Sequence, residues 1–212
     1  MLSLTDWFKP VMFNLETDRL AMNWQSNECV GACKDYYLVT MGFWLSCILF
    51  LSIETIRKDF YQLVIHHLLT VLLMSISYYY NVTRFGLMVL LLHDVGDIFL
   101  YSAKAVLYKK KQSLADGLFG LFAATFFISR IVLFPLICVI PTATLFASLV
   151  LASKHSLLDQ IGMLTLPAML ILLFFVQCFW WLMIWKMIQK TLVHKTIEKD
   201  SRSDTEQDDK DD

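Results

Sequence analysis

The stretch FYQLVIHHLLTVLLMSISYYY (Phe60–Tyr80) runs for 21 residues without an aspartate, glutamate, lysine or arginine. A bilayer-spanning helix needs about 20 mostly apolar residues, so this segment alone predicts an α-helix that crosses a membrane. Two adjacent imidazoles, His66 and His67, sit inside it, where polar groups are hard to satisfy.

The whole chain extends the reading. It has 212 residues, 57% hydrophobic and 17% charged, with a mean hydropathy of +0.56. Soluble domains carry about 25% charged residues, so composition alone indicates a membrane protein with lipids as its surroundings. The formal net charge of −1 conceals a segregation: acids crowd the end, KDSRSDTEQDDKDD (199–212), while lysines and arginines flank the apolar runs. Net charge therefore says nothing about nucleic acid, and no nucleic-acid partner is expected. The five cysteines, at 29, 33, 47, 138 and 178, show neither a disulfide framework nor zinc spacing. The first twenty residues are amphiphilic and aromatic rather than a removable signal peptide.

Five stretches approach spanning length: Tyr36–Ile53, Phe60–Tyr80, Gly86–Tyr108, Gly117–Ile140 and Ile161–Met187. A sixth apolar piece after Pro141 is too short to cross and reads as a re-entrant or interfacial helix, with proline at its start where the missing N–H costs little. The expected fold is thus all-α, a polytopic transmembrane bundle. Its parts are an amphiphilic lumenal segment (1–35), the membrane domain (36–190) and a disordered acidic cytosolic tail (191–212). Arg57 and Lys58, Lys109 to Lys111, and Lys186 to Lys199 fall on one side of a five-span topology; the positive-inside bias makes that side cytosolic, with the C-terminus on it.

Ionisable residues at membrane depth cost at least a few kcal/mol each and by default face a cavity or a partner. Besides the histidine pair, LLHDVGDIFLYSAK (91–104) carries His93, Asp94, Asp97 and Lys104, and the next span carries Arg130. At about 100° per residue, His93, Asp97 and Lys104 share one helix face and Asp94 lies to one side. The short NVTRFG (81–86) makes the His66/His67 helix and the His93 helix antiparallel neighbours, so both sites can open into one cavity. Each group also has a plainer reading. A single histidine can be an interhelical hydrogen-bond partner, Lys104 can snorkel to headgroups, and Arg130 can hold helices together through a carboxylate or carbonyl.

Imidazole beside carboxylate supports general-base catalysis, and histidine can carry an acyl group. Iron-dependent lipid oxidation uses many histidines, and this chain has five, one of them His194 in the tail. No metal and no bound cofactor are expected. A proton-coupled transporter finds no support from internal repeats or paired broken helices.

RKDFYQLVIHHLLT (57–70), NVTRFG (81–86), LLHDVGDIFLYSAK (91–104) and FFISRIVLFP (126–135) resemble, in order and spacing, the longevity-assurance region of ceramide synthases, the catalytic branch of the TLC-domain membrane proteins. The resemblance spans about residues 30 to 190. It implies an endoplasmic reticulum acyltransferase that joins the acyl group of a fatty acyl-CoA to the amine of a sphingoid base, giving ceramide or dihydroceramide. Acyl-CoA is then a co-substrate rather than a cofactor, and a homo- or heterodimer with related proteins is compatible with it. His66 and His67 match the family's paired essential histidines, and His93, Asp94 and Asp97 its second polar block. One of His66 and His67 would be general base or transient acyl carrier, with an aspartate orienting an imidazole. Replacing either histidine by alanine is expected to abolish acyl transfer.

Arg57, Lys58, Lys104, Lys109, Lys110, Lys111 and Arg130 are candidate contacts to substrate, the basic ones on the cytosolic side to the phosphates of CoA. Ser201, Ser203 and Thr205 each precede an acid by three residues and are candidate phosphorylation sites in the tail. Asn81, in the sequon NVT, is expected to be unmodified because it lies at the membrane surface. The chain departs from the family pattern in having Val95 and Gly96 where small hydroxyl residues are usual, and Tyr101 where an acid is usual. Relatives also carry helices ahead of the first span here. The alternative reading is a TLC-domain protein without catalysis, acting in lipid sensing, trafficking or assembly, or an inactive truncated isoform. Acyl-chain length is not legible.

Overall fold

A chain surrounded by hydrocarbon must satisfy its backbone N–H and C=O groups within itself, which leaves helices as the open-chain solution. The computed structural model describes residues 11, 32–51, 53, 59–80, 82–152 and 157–194, and among these every regular element is helical. The order is α1 (Ala32–Leu51), α2 (Phe60–Tyr79), α3 (Thr83–Tyr108), α4 (Gln112–Phe126), two π-helical segments (Phe127–Leu133 and Pro135–Val139), α5 (Ile140–Ala152) and α6 (Leu157–His194).

Four helical runs are long and apolar enough to cross a membrane: Phe60–Tyr79, Thr83–Tyr108, Gln112–Leu151 and Gln160–Thr191. α1 has 20 residues but opens near Lys34, Asp35, Tyr36 and Tyr37, and it is not among the four. The first of the five expected spans, Tyr36–Ile53, thus has the length of its helix, and Ser52 within it lies outside the described residues. A second expectation changes more. The piece after Pro141 is not a separate re-entrant helix, because α4, the π segments and α5 run on without a break for 40 residues. Pro135 and Pro141 would each break a regular α-helix by clashing with the preceding turn. The widened π turns between residues 127 and 139 carry the chain past both. At 1.5 Å per residue the run is about 60 Å long, roughly twice the hydrocarbon thickness.

The connections are tight where the site needs them. α2 stops at Tyr80, whose N–H bonds to the Ile76 carbonyl at 2.9 Å, and Val82 N–H returns to the Ser77 carbonyl at 2.9 Å. This short link makes α2 and α3 antiparallel neighbours. α3 turns into α4 through Lys109, Lys110 and Lys111, with Lys110 in the left-handed region at φ 57°, an uncommon conformation for a residue with a side chain.

Two apolar clusters fill the bundle at different depths. One joins Leu73, Phe85, Met88, Phe134, Phe146 and Leu170 at the Val82 end; the other joins Phe122, Phe126, Val176, Trp180 and Ile184. α1 docks through Tyr37, fully buried against Met74 and Leu90. Its hydroxyl meets Ser77 Oγ in a short hydrogen bond and lies 3.2 Å from the Met74 carbonyl. Gly86 is what lets this ring in: a Cβ there would stand 2.5 Å from Tyr37 Oη and 2.9 Å from its ring. Gly86→Ala is therefore expected to lower stability by about 1–3 kcal/mol through overpacking. Thermal unfolding in detergent measures this, and an unchanged midpoint would show that Tyr37 moves aside freely.

Candidate functional site

Between the two apolar clusters lies a polar layer, built by single turns of three elements. Phe126 and Phe134, on either side of the first π segment, belong to the two clusters, and Arg130 stands between them on that segment. On α6, Leu173 of one cluster and Trp180 of the other lie on either side of Gln177; on α3, Leu92 precedes His93. Arg130 is 5% exposed and Gln177 0%, so neither can rely on solvent.

They satisfy one another instead. Arg130 Nη2 donates to Asp97 Oδ1 at 2.6 Å and to the His93 carbonyl, and Nη1 approaches Gln177 Oε1 at 3.5 Å. The guanidinium also lies 4.8 Å from the centre of the Phe126 ring. Gly96 lies beside it with room to spare, since a Cβ there would sit at an ordinary contact distance of 4.0 Å from Arg130 Nε and Nη2. His93 is held at both ring nitrogens: Nδ1 lies 2.7 Å from the Val89 carbonyl and Nε2 2.8 Å from Gln177 Nε2.

His66 and His67, each 7% exposed, project from α2 beside this layer. The His66 ring stacks on His93 at 6.1 Å and meets Trp180 edge-on at 5.0 Å and Trp44 at 5.6 Å; Trp44 also packs on His67 at 5.1 Å. Among the described residues, Nδ1 of both histidines and the indole N–H groups of Trp44 and Trp180 are buried without a hydrogen-bond partner. Buried polar atoms are normally paired, and orphaned donors and acceptors gathered around one imidazole are the chemical mark of a site.

Two cavities meet at that imidazole. The outer one, of about 390 Å³, is lined by His66, His67, Asp97, Lys104, Arg130 and Trp180 among others, and it lies toward the end of the bundle that carries Leu51, Asp59 and Ile184. The inner one, of about 40 Å³, runs toward the Val82 end and is almost wholly apolar, between Leu73, Val89, Leu166 and Leu170. His66 and Trp44 border both.

The residues singled out in the sequence are sorted by this geometry. His66, His67, Asp97, Lys104 and Arg130 converge on the outer cavity. His93 borders only the inner one, its ring nitrogens already engaged. Asp94 turns away: it accepts a hydrogen bond from the Tyr36 hydroxyl at 2.9 Å in an exposed setting and lines neither cavity. Three residues apart on a helix is about 300°, roughly 60° short of a full turn, so Asp94 and Asp97 occupy adjoining rather than identical directions, and Asp94 falls on the side that meets α1. Lys109, Lys110 and Lys111 are exposed on the α3–α4 connection, apart from the cavity lining. Arg57, Lys58, Ser201, Ser203, Thr205 and Asn81 lie outside the described residues. Among the described residues, no three His, Cys, Asp or Glu side chains are placed to hold a metal ion. Gln177, Trp44 and Trp180 are additions to the site. A lone amide inside LILLFFVQCFWW (170–181) was the available signal for the first.

Comparison with known proteins gives the family context. Residues 2–186 match the TLC domain. Ceramide synthase 4 of Homo sapiens is 46% identical over 100 residues, 47% of this chain and 25% of the relative. Ceramide synthase hyl-1 of Caenorhabditis elegans is 34% identical over 151 residues, 68% of this chain and 41% of the relative. Ceramide synthase LOH2 of Arabidopsis thaliana is 33% identical over 171 residues, 76% of this chain and 54% of the relative. The chain thus spans from a quarter to about half the length of these relatives. No solved structure matches it.

Proposed function

The chain belongs to the TLC-domain family, and from that premise we propose that it transfers a fatty acyl group from acyl-CoA to the amine of a sphingoid base. The observation that carries this reading is the position of His66, at the junction of a polar outer cavity and an apolar inner one. An acyl-CoA is itself polar at one end and hydrocarbon at the other, with the thioester between. Laid with its head in the outer cavity, near Lys104 and the exposed Lys109–Lys111 connection, it brings the thioester carbonyl to His66 and points its acyl chain at the inner cavity between Leu73, Leu166 and Leu170, which takes the start of the chain and must widen for the rest.

Amide formation requires the amine to lose a proton, the carbonyl to pass through a tetrahedral oxyanion, and the CoA thiolate to leave. His66 takes the amine proton and returns it to the thiolate, or first accepts the acyl group itself and then passes it to the amine. The oxyanion needs donors, and the cavity supplies the Arg130 guanidinium and the indole N–H groups of Trp44 and Trp180. Asp97 balances the charge of Arg130. Asp94, bonded to Tyr36, has no part in this step. In keeping with this reading the chain resides in the endoplasmic reticulum, with the outer cavity and the C-terminus facing the cytosol where CoA is found.

Expression in cells lacking their own ceramide synthases, followed by lipid mass spectrometry, tests the proposal. Ceramide or dihydroceramide above the host background is the expected result, and its chain-length distribution reports the acyl preference. Background levels from protein shown to be inserted and folded would overturn it in favour of a non-catalytic TLC-domain protein.

A further inference from the structure

Gln177 determines the protonation form of the histidine opposite it. Arginine has N–H donors and no acceptor, so the atom of Gln177 that faces Arg130 Nη1 must be its side-chain oxygen. The amide nitrogen then faces His93 Nε2 at 2.8 Å. An amide N–H can only donate, so His93 Nε2 accepts and is unprotonated. The ring proton is therefore on Nδ1, where it donates to the Val89 carbonyl at 2.7 Å. With the reverse amide orientation, two donors would face each other across a fully buried contact. His93 is thus a neutral imidazole with neither a free lone pair nor a free proton, although it stacks 6.1 Å from His66.

We propose that Gln177 is a positioning residue for acyl transfer: it holds His93 as the Nδ1-protonated neutral ring behind His66 and completes the acceptor set that aims the Arg130 guanidinium at the outer cavity. The inference rests on the acyltransferase reading for its kinetic part and on hydrogen-bond chemistry alone for its structural part. Gln177 is fully buried and borders neither cavity, so it does not touch substrate. It acts through the two side chains it binds. Without it, Arg130 Nη1 loses its acceptor, and His93 is free to turn, to exchange tautomer, or to take up a proton and set a positive charge beside the reacting imidazole. Such a change falls on the chemical step rather than on binding.

The test uses the intact chain in lipid nanodiscs, with Gln177→Met, which removes both hydrogen bonds, and Gln177→Glu, which keeps an acceptor for Arg130 but none of the donors. Both variants are expected to lose about tenfold or more in kcat, with KM for acyl-CoA and for the sphingoid base within about twofold of the unaltered chain. Nitrogen-15 NMR of histidine-labelled protein, with the His93 signal assigned by its loss in His93→Phe, supplies the second readout. The unaltered chain should show a neutral His93 protonated at Nδ1, and Gln177→Glu should add a proton at Nε2, so that the ring donates both to the Val89 carbonyl and to the new carboxylate. An Nε2-protonated His93 in the unaltered chain overturns the proposal whatever the variants do, including a failure to fold. Unchanged kcat in folded variants overturns the positioning role. Absence of any ceramide from the unaltered chain defeats the acyltransferase reading instead, and the NMR result still decides the tautomer.

Discussion

Replacing His66 by alanine is expected to bring ceramide formation down to the host background, a loss on the order of 10³-fold or more, while the protein remains inserted and folded. Removing the imidazole takes away both the proton acceptor and the one ring besides Trp44 that, among the described residues, borders both the outer and the inner cavity. No neighbour can replace it. His93 has both nitrogens engaged, and Asp97 is held by Arg130. His67 borders the outer cavity alone, with its ring against Trp44. The structure therefore separates two histidines that the sequence presents as a pair. His67→Ala should cost less, on the order of tenfold, through looser placement of Trp44 and the His66 ring. The measurement is product formed per amount of inserted protein, from membranes matched for expression. Near-normal activity in His66→Ala, or a larger loss in His67→Ala, would move the reacting group away from His66. The loss of stability should come from the space left beside His93, Trp44 and Trp180 rather than from a stranded partner, because His66 Nδ1 has none.

Much of this site was legible because hydrocarbon makes ionisable residues conspicuous. His66, His67, Asp97 and Arg130 stood out as charges or imidazoles in apolar runs, and the short link after Tyr80 correctly paired α2 with α3. Gln177 did not stand out, since an uncharged amide weighs little in a hydropathy reading although it is the most buried polar side chain of the layer. Asp94 was joined to Asp97 through the family's polar block, although helix periodicity already set it to one side of the shared face. A hydroxyl on α1, that of Tyr36, drew it outward. The continuity of α4 into α5 was hidden for a different reason. Prolines usually end helices, and the sequence carries no mark of the π turns that carry the chain past Pro135 and Pro141. Those same turns place Arg130 between Phe126 and Phe134, so the least predictable stretch of backbone positions a central cation of the site.

Arg130→Met should be the most destabilising single change in the layer, at about 3–5 kcal/mol if the partners were fully sealed, and less to the extent that water in the outer cavity reaches Asp97. The side chain of Asp97 is 30% exposed against 6% for Arg130, so the carboxylate has some recourse to that water and the guanidinium has almost none. The larger share of the cost falls on the groups that only Arg130 serves: Gln177 Oε1 and the second bond to the His93 carbonyl. In a bilayer this matters more than it would in a soluble core. Apolar helix faces gain little from meeting each other rather than lipid tails, so packing and interhelical hydrogen bonds must hold the bundle. Arg130 bonds α3 to the π segment directly and reaches α6 through Gln177. If the cost comes from an uncompensated carboxylate, removing that carboxylate as well should relieve it. Arg130→Met combined with Asp97→Leu is therefore expected to be more stable than Arg130→Met alone, with a coupling of about 1–3 kcal/mol in a double-mutant cycle of unfolding in detergent. It should not regain activity, because the cation beside the developing oxyanion is still missing. Strictly additive losses would mean that Asp97 is satisfied by water through the cavity, and that Arg130 owes its burial to Gln177 and His93 alone.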